Sequence, residues 1–405
     1  MEVDHFLRSV KEYWGIFIDK LDYWVVEKQY LALWFLPISL VLLPFYTRLE
    51  PKVPLGYYQA TGFIAICVLA TLISRRALTV TFFNFMLFVI GCFIFFIQPY
   101  GHSNSPTVFF HSQCFYAALL LLYTLDQIRI KSGVAKRLYW AIGVVGILEA
   151  IYMILTHYNI FLIHDYLSPK GVGRFIMQDG VWVDSATVRT IIAPKGSLGN
   201  ENYSSILVTC CIPFMFNKKL FWGLIPSFIA LYLSQSAMAI VACGVSLVTL
   251  GFLSGHRIKT FIACGAGLIS LFFLPFNFSH GNRFTVWEII MDFIWGSHWY
   301  GSGAGSFRDY FHTFASNFPK YLEGKERWVQ AHNEYLELLV IFGVFAFPLF
   351  IYMMKRLKPN KLNAVWFSSF VAIMVNSYGN FPWHLPSVAL IGIITYSVSC
   401  TNNKE

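Results

Sequence analysis

Long apolar runs separated by short polar clusters dominate this chain, and few stretches alternate in the way a half-buried strand would. A bilayer-crossing helix needs about 20 mostly apolar residues. By that rule the pattern predicts twelve spans, roughly 31–47, 57–73, 78–98, 107–125, 138–157, 200–216, 220–233, 237–254, 260–276, 333–354, 362–378 and 387–399. The pair 220–233 and 237–254 shares one apolar run broken only by Ser234, Gln235 and Ser236. Residues 1–30 mix Asp4, Arg8, Lys11 and Glu12 with Phe6, Trp14 and Trp24, which predicts an amphipathic cytoplasmic or interfacial segment instead of a secretory signal. The expected fold class is therefore an all-α polytopic membrane protein. Its single transmembrane catalytic domain covers 31–399, followed by a cytoplasmic tail at 400–405.

Composition sharpens the picture. Only 13% of the residues are charged, against about a quarter in soluble domains, which excludes a large water-soluble protein. Mean hydropathy is +0.57. The net charge of +9 sits in clusters between apolar runs, so a lipid bilayer and not a nucleic acid is the expected partner. With the N-terminus in the cytoplasm, 19 of the 30 Lys and Arg fall on inner segments, among them Arg75, Arg76, Lys136, Arg137, Lys218, Lys219, Lys355 and Arg356. Nine of the other 11 lie in two long outer loops, which leaves the short outer loops nearly free of positive charge. Both termini are expected in the cytoplasm. The eight cysteines fall in apolar runs or at their ends, with no CxxC or Cys/His ligand spacing, so neither a disulfide framework nor a zinc site is expected.

The two outer loops, about 158–199 and 277–331, carry the candidate chemistry. Structureless loops of such length are uncommon without a function. The first ends in Lys195-Gly-Ser-Leu-Gly-Asn200-Glu-Asn202 where a span begins. The second opens with Arg283-Phe-Thr-Val-Trp287 and continues through Gly301-Ser-Gly-Ala-Gly-Ser-Phe307. It closes with Ala331-His332-Asn333-Glu334-Tyr335-Leu336-Glu337 at the mouth of a span. The glycines match neither a P-loop nor a dinucleotide fingerprint. Arginine offers a planar, permanently charged fork of donors suited to phosphate oxygens. Arg189, Lys195, Arg283, Arg308 and Arg327 together suit a diphosphate without a metal. His332, with an ordinary pKa near 6.5, suits a proton acceptor, and Asn333 or Glu334 suits an orienting partner. Such a set fits glycosyl transfer with a departing pyrophosphate.

In that order, G-x-L-G-N-x-N, R-x-x-x-W, G-x-G-x-x-F and A-H-N-x-Y-L-x-x-L-x-x-x-G, the last running from Ala331 to Gly343, the residues resemble the O-antigen ligase/O-antigen polymerase superfamily. The motifs cover about residues 196–343. The resemblance implies a twelve-helix fold of the broad GT-C kind in the bacterial inner membrane, with a periplasmic site. It also implies a glycan donor on undecaprenyl pyrophosphate, a glycan or lipid A-core acceptor, and no metal, cofactor or nucleotide sugar. Family roles transfer to His332 as base or acceptor-positioning residue and to Arg283 as diphosphate binder. Many relatives carry an arginine at the outer start of a central span, where this chain has Ser234-Gln-Ser-Ala-Met-Ala239 without one. Either Arg189 or Lys195 takes its place from the first loop, or the chain is a divergent member.

Plainer roles compete for several residues. His332 and the pair Asn200 and Asn202 suit helix starts, Arg283 suits a loop surface, and Gly301–Gly305 suits a tight turn more than a ligand cradle. His298, His312 and His384 carry no supporting pattern. Glu149, amid Ile147, Leu148 and Ile151, is either a coupling site or a protonated packing residue. Within the enzyme class the expectation leans to a ligase acting on lipid A-core, ahead of a polymerase or a protein O-oligosaccharyltransferase. The competing class, a transporter or flippase for lipid-linked glycans, predicts ionisable groups strung along the membrane interior. Little beyond Glu149 and His111 answers to that.

Overall fold

The computed structural model describes residues 29–45, 55–74, 114, 117–122, 124–125, 132–158, 175–178, 181–184, 194, 196–256, 281–296, 299–303, 307, 312–315, 317–318 and 331–400. The expected spans 78–98 and 260–276, most of 107–125, segment 1–28 and tail 401–405 lie outside them.

Most helices fall where the apolar runs predict them, but residues 281–296, read from the sequence as part of the second long loop, are helical as well. The helices are α1 Gln29–Leu42, α2 Leu55–Ser74, α3 Ser132–His157, α4 Glu201–Cys211, α5 Leu224–Ser234, α6 Ala237–Leu253, α7 Gly281–Gly296, α8 Glu334–Phe342, α9 Ala346–Arg356, α10 Ala364–Asn376 and α11 Pro386–Cys400. Among the described residues, two stretches, Val134–His157 and Glu334–Arg356, are long and apolar enough to cross a bilayer, and five shorter apolar helices accompany them. Large side chains such as Leu42 (61% exposed) and Ile225 (67%) point outward, a surface suited to lipid. The helical membrane class thus holds. One addition to the all-α expectation lies in the first outer loop. Strands β1 Phe175–Gln178 and β2 Val181–Asp184 pair antiparallel, with Phe175 opposite Asp184. The sequence between them is Asp179-Gly180, a dipeptide that favours two-residue hairpin turns.

Helices in lipid gain little from burying apolar surface against one another, so close approach and buried hydrogen bonds decide their packing. The centre of this bundle follows that rule. Helix α6 presents Ala239, Ala242 and Ser246 to α10, and Ser246 Oγ donates to the Ser368 carbonyl at 2.7 Å. Ser369 Oγ donates to Cys210 O at 2.6 Å, and Thr209 Oγ1 to Ala239 O at 3.3 Å, tying α4 to both neighbours. Helix α3 packs on α4 and α5, and α11 on α10. The break between α5 and α6 falls where the polar triplet predicts it. Gln235 closes α5 in the left-handed region (φ 50°), and α6 starts after Ser236.

The run read as one span at 333–354 is a broken helix. Helix α8 ends at Phe342, Gly343 takes φ 57°, and α9 begins at Ala346. Segment 299–303 of the outer loop docks into the break. Ser302 N donates to Val340 O at 2.8 Å, Gly303 N to Ile341 O at 3.1 Å, and Val344 N to Trp299 O at 2.8 Å. Irregular backbone at membrane depth persists only when protein satisfies its polar groups, and these bonds do so. The glycine-rich motif therefore serves close approach: a Cβ on Gly301 (φ 90°) would collide with Ile341 O, and one on Gly343 with Trp299 O.

Candidate active site

Two motif-bearing segments and one loop that no motif flagged meet at one end of the bundle. In α7, Val286, Ile289, Ile290, Phe293 and Ile294 repeat at helical spacing. They bury against Phe307, Ala315, Ala331 and Val340, forming a second core beneath the outer loop. That packing fixes the adjacent face. Arg283 and Trp287 stand one turn apart on it, and each reaches a different partner. An Arg283 guanidinium nitrogen (Nη1) donates to Gly379 O at 3.0 Å, and Trp287 Nε1 donates to Ala331 O at 2.9 Å. The Trp287 ring meets Tyr378 edge-on at 5.6 Å.

His332 sits between that contact and the start of α8. Asn333 caps the helix, its Oδ1 accepting from Tyr335 N at 3.0 Å and Leu336 N at 3.2 Å. From the next turn, Glu337 Oε2 accepts from Ala331 N at 2.9 Å. The backbone on both sides of His332 is therefore clamped, and His332 itself takes the left-handed conformation (φ 49°). A side chain at positive φ costs of order 1–2 kcal/mol and persists only where its surroundings over-determine it.

The third contributor is the connection between α10 and α11. Glu334 N donates to Ser377 O at 2.8 Å, while Glu334 Oε1 accepts from Trp383 N at 2.8 Å and Oε2 lies 3.6 Å from His384 Nε2. Phe381 stacks edge-on against His332 (5.1 Å) and Tyr203 (5.1 Å), which brings the start of α4 to the same place. The turn Ser234–Met238 arrives there too, since Met238 Cγ would lie 2.6 Å from a Cβ on Gly379. Met238 thus abuts the residue that Arg283 holds.

Of the residues predicted from sequence, Arg283, His332, Asn333 and Glu334 come together here. Arg189, Lys195, Arg308 and Arg327 lie outside the described residues. Asn333 is the helix cap, and buried Glu334 braces the Trp383–His384 turn and not the His332 ring. Asn200 is likewise a cap, with Oδ1 accepting from Asn202 N at 2.9 Å. Sequence reasoning gave no role to Glu337, Gly379 or Phe381 and set His384 aside. The available signal was an ionisable residue inside an apolar run at Glu337, and Tyr378-Gly-Asn-Phe-Pro-Trp-His384 packed into a short outer connection.

Electrostatics give His332 a definite state. Burial, and secondly the positive charge of Arg283, pull its pKa down to about 4, so the ring is neutral at neutral pH. His384 is also lowered by burial, with Glu337 opposing the shift. Burial lowers Arg283 too, yet a guanidinium stays charged. A fixed cation beside a neutral imidazole can hold an anionic leaving group while accepting a hydrogen bond from a hydroxyl.

Glu149 lies apart from this set. It is fully buried in α3, and its Oε1 accepts from Ser197 N at 3.0 Å, while Thr156 Oγ1 accepts from Gly196 N at 3.4 Å. The carboxylate fastens the end of the first outer loop, and Gly196 (φ 59°) leaves no room there for a Cβ. The packing role read from the sequence fits this bonding, although Oε2 has no hydrogen-bond partner among the described residues.

Residues 222–351 match the O-antigen ligase family. The segment spans α5 to α9 and contains Arg283, His332 and the glycine motif. The superfamily resemblance carried by the motifs holds over it. No curated protein matches the chain significantly.

Proposed function

From the O-antigen ligase match over residues 222–351, we propose that the chain transfers a glycan en bloc from undecaprenyl pyrophosphate to an acceptor hydroxyl. The reaction takes place at the periplasmic face of the inner membrane, and lipid A-core is the acceptor. The enzyme is a multi-pass GT-C-type protein of twelve spans with both termini in the cytoplasm. The observation that carries this reading is the convergence of Arg283 and His332 on the single turn Gly379–Phe381.

The chemistry follows from the two side chains. Arg283 binds the donor diphosphate, and the loop cations Arg189, Lys195, Arg308 and Arg327 supply further positive charge. His332 accepts the proton of the acceptor hydroxyl. The oxygen attacks the anomeric carbon from the face opposite the diphosphate and forms the new glycosidic bond. The carbon–oxygen bond to the diphosphate breaks, its electron pair leaves with undecaprenyl pyrophosphate, and the configuration inverts. Bringing a diphosphate to Arg283 offsets the cation that depresses His332, so donor binding raises the basicity of the ring. The reaction needs no metal, since permanent cations do the neutralising.

The test is deletion of the gene and complementation with wild type, His332→Ala or Arg283→Ala, followed by electrophoresis of envelope glycans. A ligase leaves lipid-linked chains of normal length accumulating and none on lipid A-core when either variant replaces wild type. A polymerase instead leaves single-repeat products. No change in any surface glycan, or full activity in both variants, refutes the proposal.

A further inference from the structure

A second candidate site lies at the opposite end of the bundle. A cavity of about 270 Å³ is lined by Ala135, Lys136, Tyr139, Trp140, Asn217 and Trp366. Lys136 and Trp140 belong to the first turns of α3, whose far end holds Thr156 and the first outer loop. Trp366 opens α10, whose far end leads to Gly379 and Arg283. At 1.5 Å per residue, Ala135 and Thr156 stand about 30 Å apart along α3. The cavity is therefore separated from His332 by most of the membrane's thickness.

Its walls are preformed. Tyr139, Phe214 and Trp366 make a ring of edge-to-face contacts, with centroids 5.2 Å apart for Tyr139–Phe214, 5.0 Å for Phe214–Trp366 and 6.4 Å for Tyr139–Trp366. Such a trio is rigid and apolar. Cations stand at its mouth. Lys136 lines the cavity and is exposed, and Lys219 Nζ lies 6.0 Å from the centre of the Trp140 ring. The turn carrying Lys218 and Lys219 is fixed by Asn217, whose Oδ1 accepts from Lys219 N at 3.1 Å. None of the six lining residues is a carboxylate. Beside them on the same turn, Phe216, Phe221 and Trp222 expose large apolar surface.

An aromatic-walled cavity with ammonium groups at its rim and an apolar skirt matches an amphiphile that has an anionic head and acyl chains. We infer that an anionic glycerophospholipid docks here, its glycerol and upper acyl carbons against the aromatic walls, its headgroup phosphate at the rim beside Lys136 and Lys219, and its chains along Phe216, Phe221 and Trp222. The isoprenoid diphosphate of the proposed reaction belongs at the Arg283 end, so it is not the occupant, and the inference stands independently of that reaction. A basic pocket between helices at a membrane surface is the kind of site that selects lipid charge.

The test uses the purified full-length chain, titrated with phosphatidylglycerol, phosphatidylcholine or inorganic phosphate and followed by native mass spectrometry. Phosphatidylglycerol should give a saturable one-lipid adduct that phosphatidylcholine does not match, and inorganic phosphate should not displace it. At about 1 kcal/mol per lysine near a membrane surface, Lys136→Ala/Lys219→Ala should weaken phosphatidylglycerol binding about thirtyfold while leaving phosphatidylcholine adducts unchanged. Lys136→Arg/Lys219→Arg should retain the preference. If the alanine pair does not fold, high salt should erase the preference in wild type. Equal binding of the two lipids refutes the inference. So does a preference that survives the alanine pair or high salt, or displacement by inorganic phosphate alone.

Discussion

His332 combines two properties that a substitution separates: an imidazole and a left-handed backbone. Replacement by Ala removes the ring and keeps the strain at φ 49°, whereas Gly removes both. His332→Gly should therefore exceed His332→Ala in thermal stability by roughly 0.5–1 kcal/mol, while both abolish glycan transfer. Equal loss of stability in both, measured by thermal unfolding in detergent, would show that the ring and not the backbone sets the cost. The depressed pKa of about 4 makes a second prediction. In the unfolded chain the ring titrates near 6.5. Between those values the unfolded state binds more protons, so this residue's contribution to stability is complete above about pH 6.5 and is lost as pH falls towards 4. At donor concentrations far below saturation, where the free enzyme sets the rate, transfer activity that needs the neutral ring should stay level from about pH 8 to 5 and decline below that. A loss centred near pH 6.5 would mean that the ring is not shielded as described. Arg283→Lys keeps the charge and loses the fork, and should cost transfer on the order of a hundredfold.

At the scale of elements, the membrane helices were legible because each is an apolar run bounded by charge, whereas α7, with Arg283, Glu288 and Asp292 inside it, was read as loop; the α5–α6 break was legible because Ser234, Gln235 and Ser236 interrupt an apolar run. Arg283 and Trp287 were legible as a motif pair, whereas Asn333, expected to orient the His332 ring, is the cap of α8. The clamp on His332 was not. Glu337 reaching back to Ala331 N, and Phe381 arriving from the α10–α11 connection, depend on tertiary packing that no local pattern encodes. The broken helix at Gly343 was hidden for a related reason. Residues 333–354 read as one uninterrupted hydrophobic stretch, and the partner that tolerates the break lies some forty residues earlier, at Trp299–Gly303. The β1–β2 hairpin had a signal in Asp179-Gly180 between β-branched and aromatic residues, but hydropathy across so many spans outweighs a two-residue cue. The clamp makes its own prediction. Glu337→Ala strands the Ala331 N–H and should cost about 1–3 kcal/mol of stability. Transfer should fall further than the loss of folded protein explains, because His332 is no longer held. Activity normalised to folded protein that equals wild type would deny Glu337 any part in positioning His332.

At the scale of the whole molecule, small residues and hydroxyls carry the central contact, with Ala239, Ala242 and Ser246 buried on α6, Ser246 bonded to Ser368 of α10, and Ser369 of α10 bonded to Cys210 of α4. Enlarging one of them should separate α6 from α10. Ser246→Leu should lower folded yield sharply, whereas Ser246→Ala, which loses one hydrogen bond of about 0.6 kcal/mol within a membrane, should be nearly silent. Similar yields for the two would show that helix spacing at this contact is not critical. Distance between functions also belongs to this scale. The Arg283–His332 end and the lysine-rimmed cavity at Lys136 lie at opposite ends of α3 and α10, so changes at either should leave the other's binding intact.

The seam at Gly343 bears on how the protein is made. Carbonyls of Val340 and Ile341 find their donors in a segment that the ribosome delivers first and that, on the proposed topology, has already crossed the bilayer. Until Ser302 and Gly303 settle back against it, the last part of α8 carries naked dipoles in oil. Assembly of the C-terminal helices therefore waits on the return of an exported loop. A lesion such as Gly301→Ala should arrest the nascent protein as a half-inserted substrate for quality-control proteases, long before any sugar is transferred.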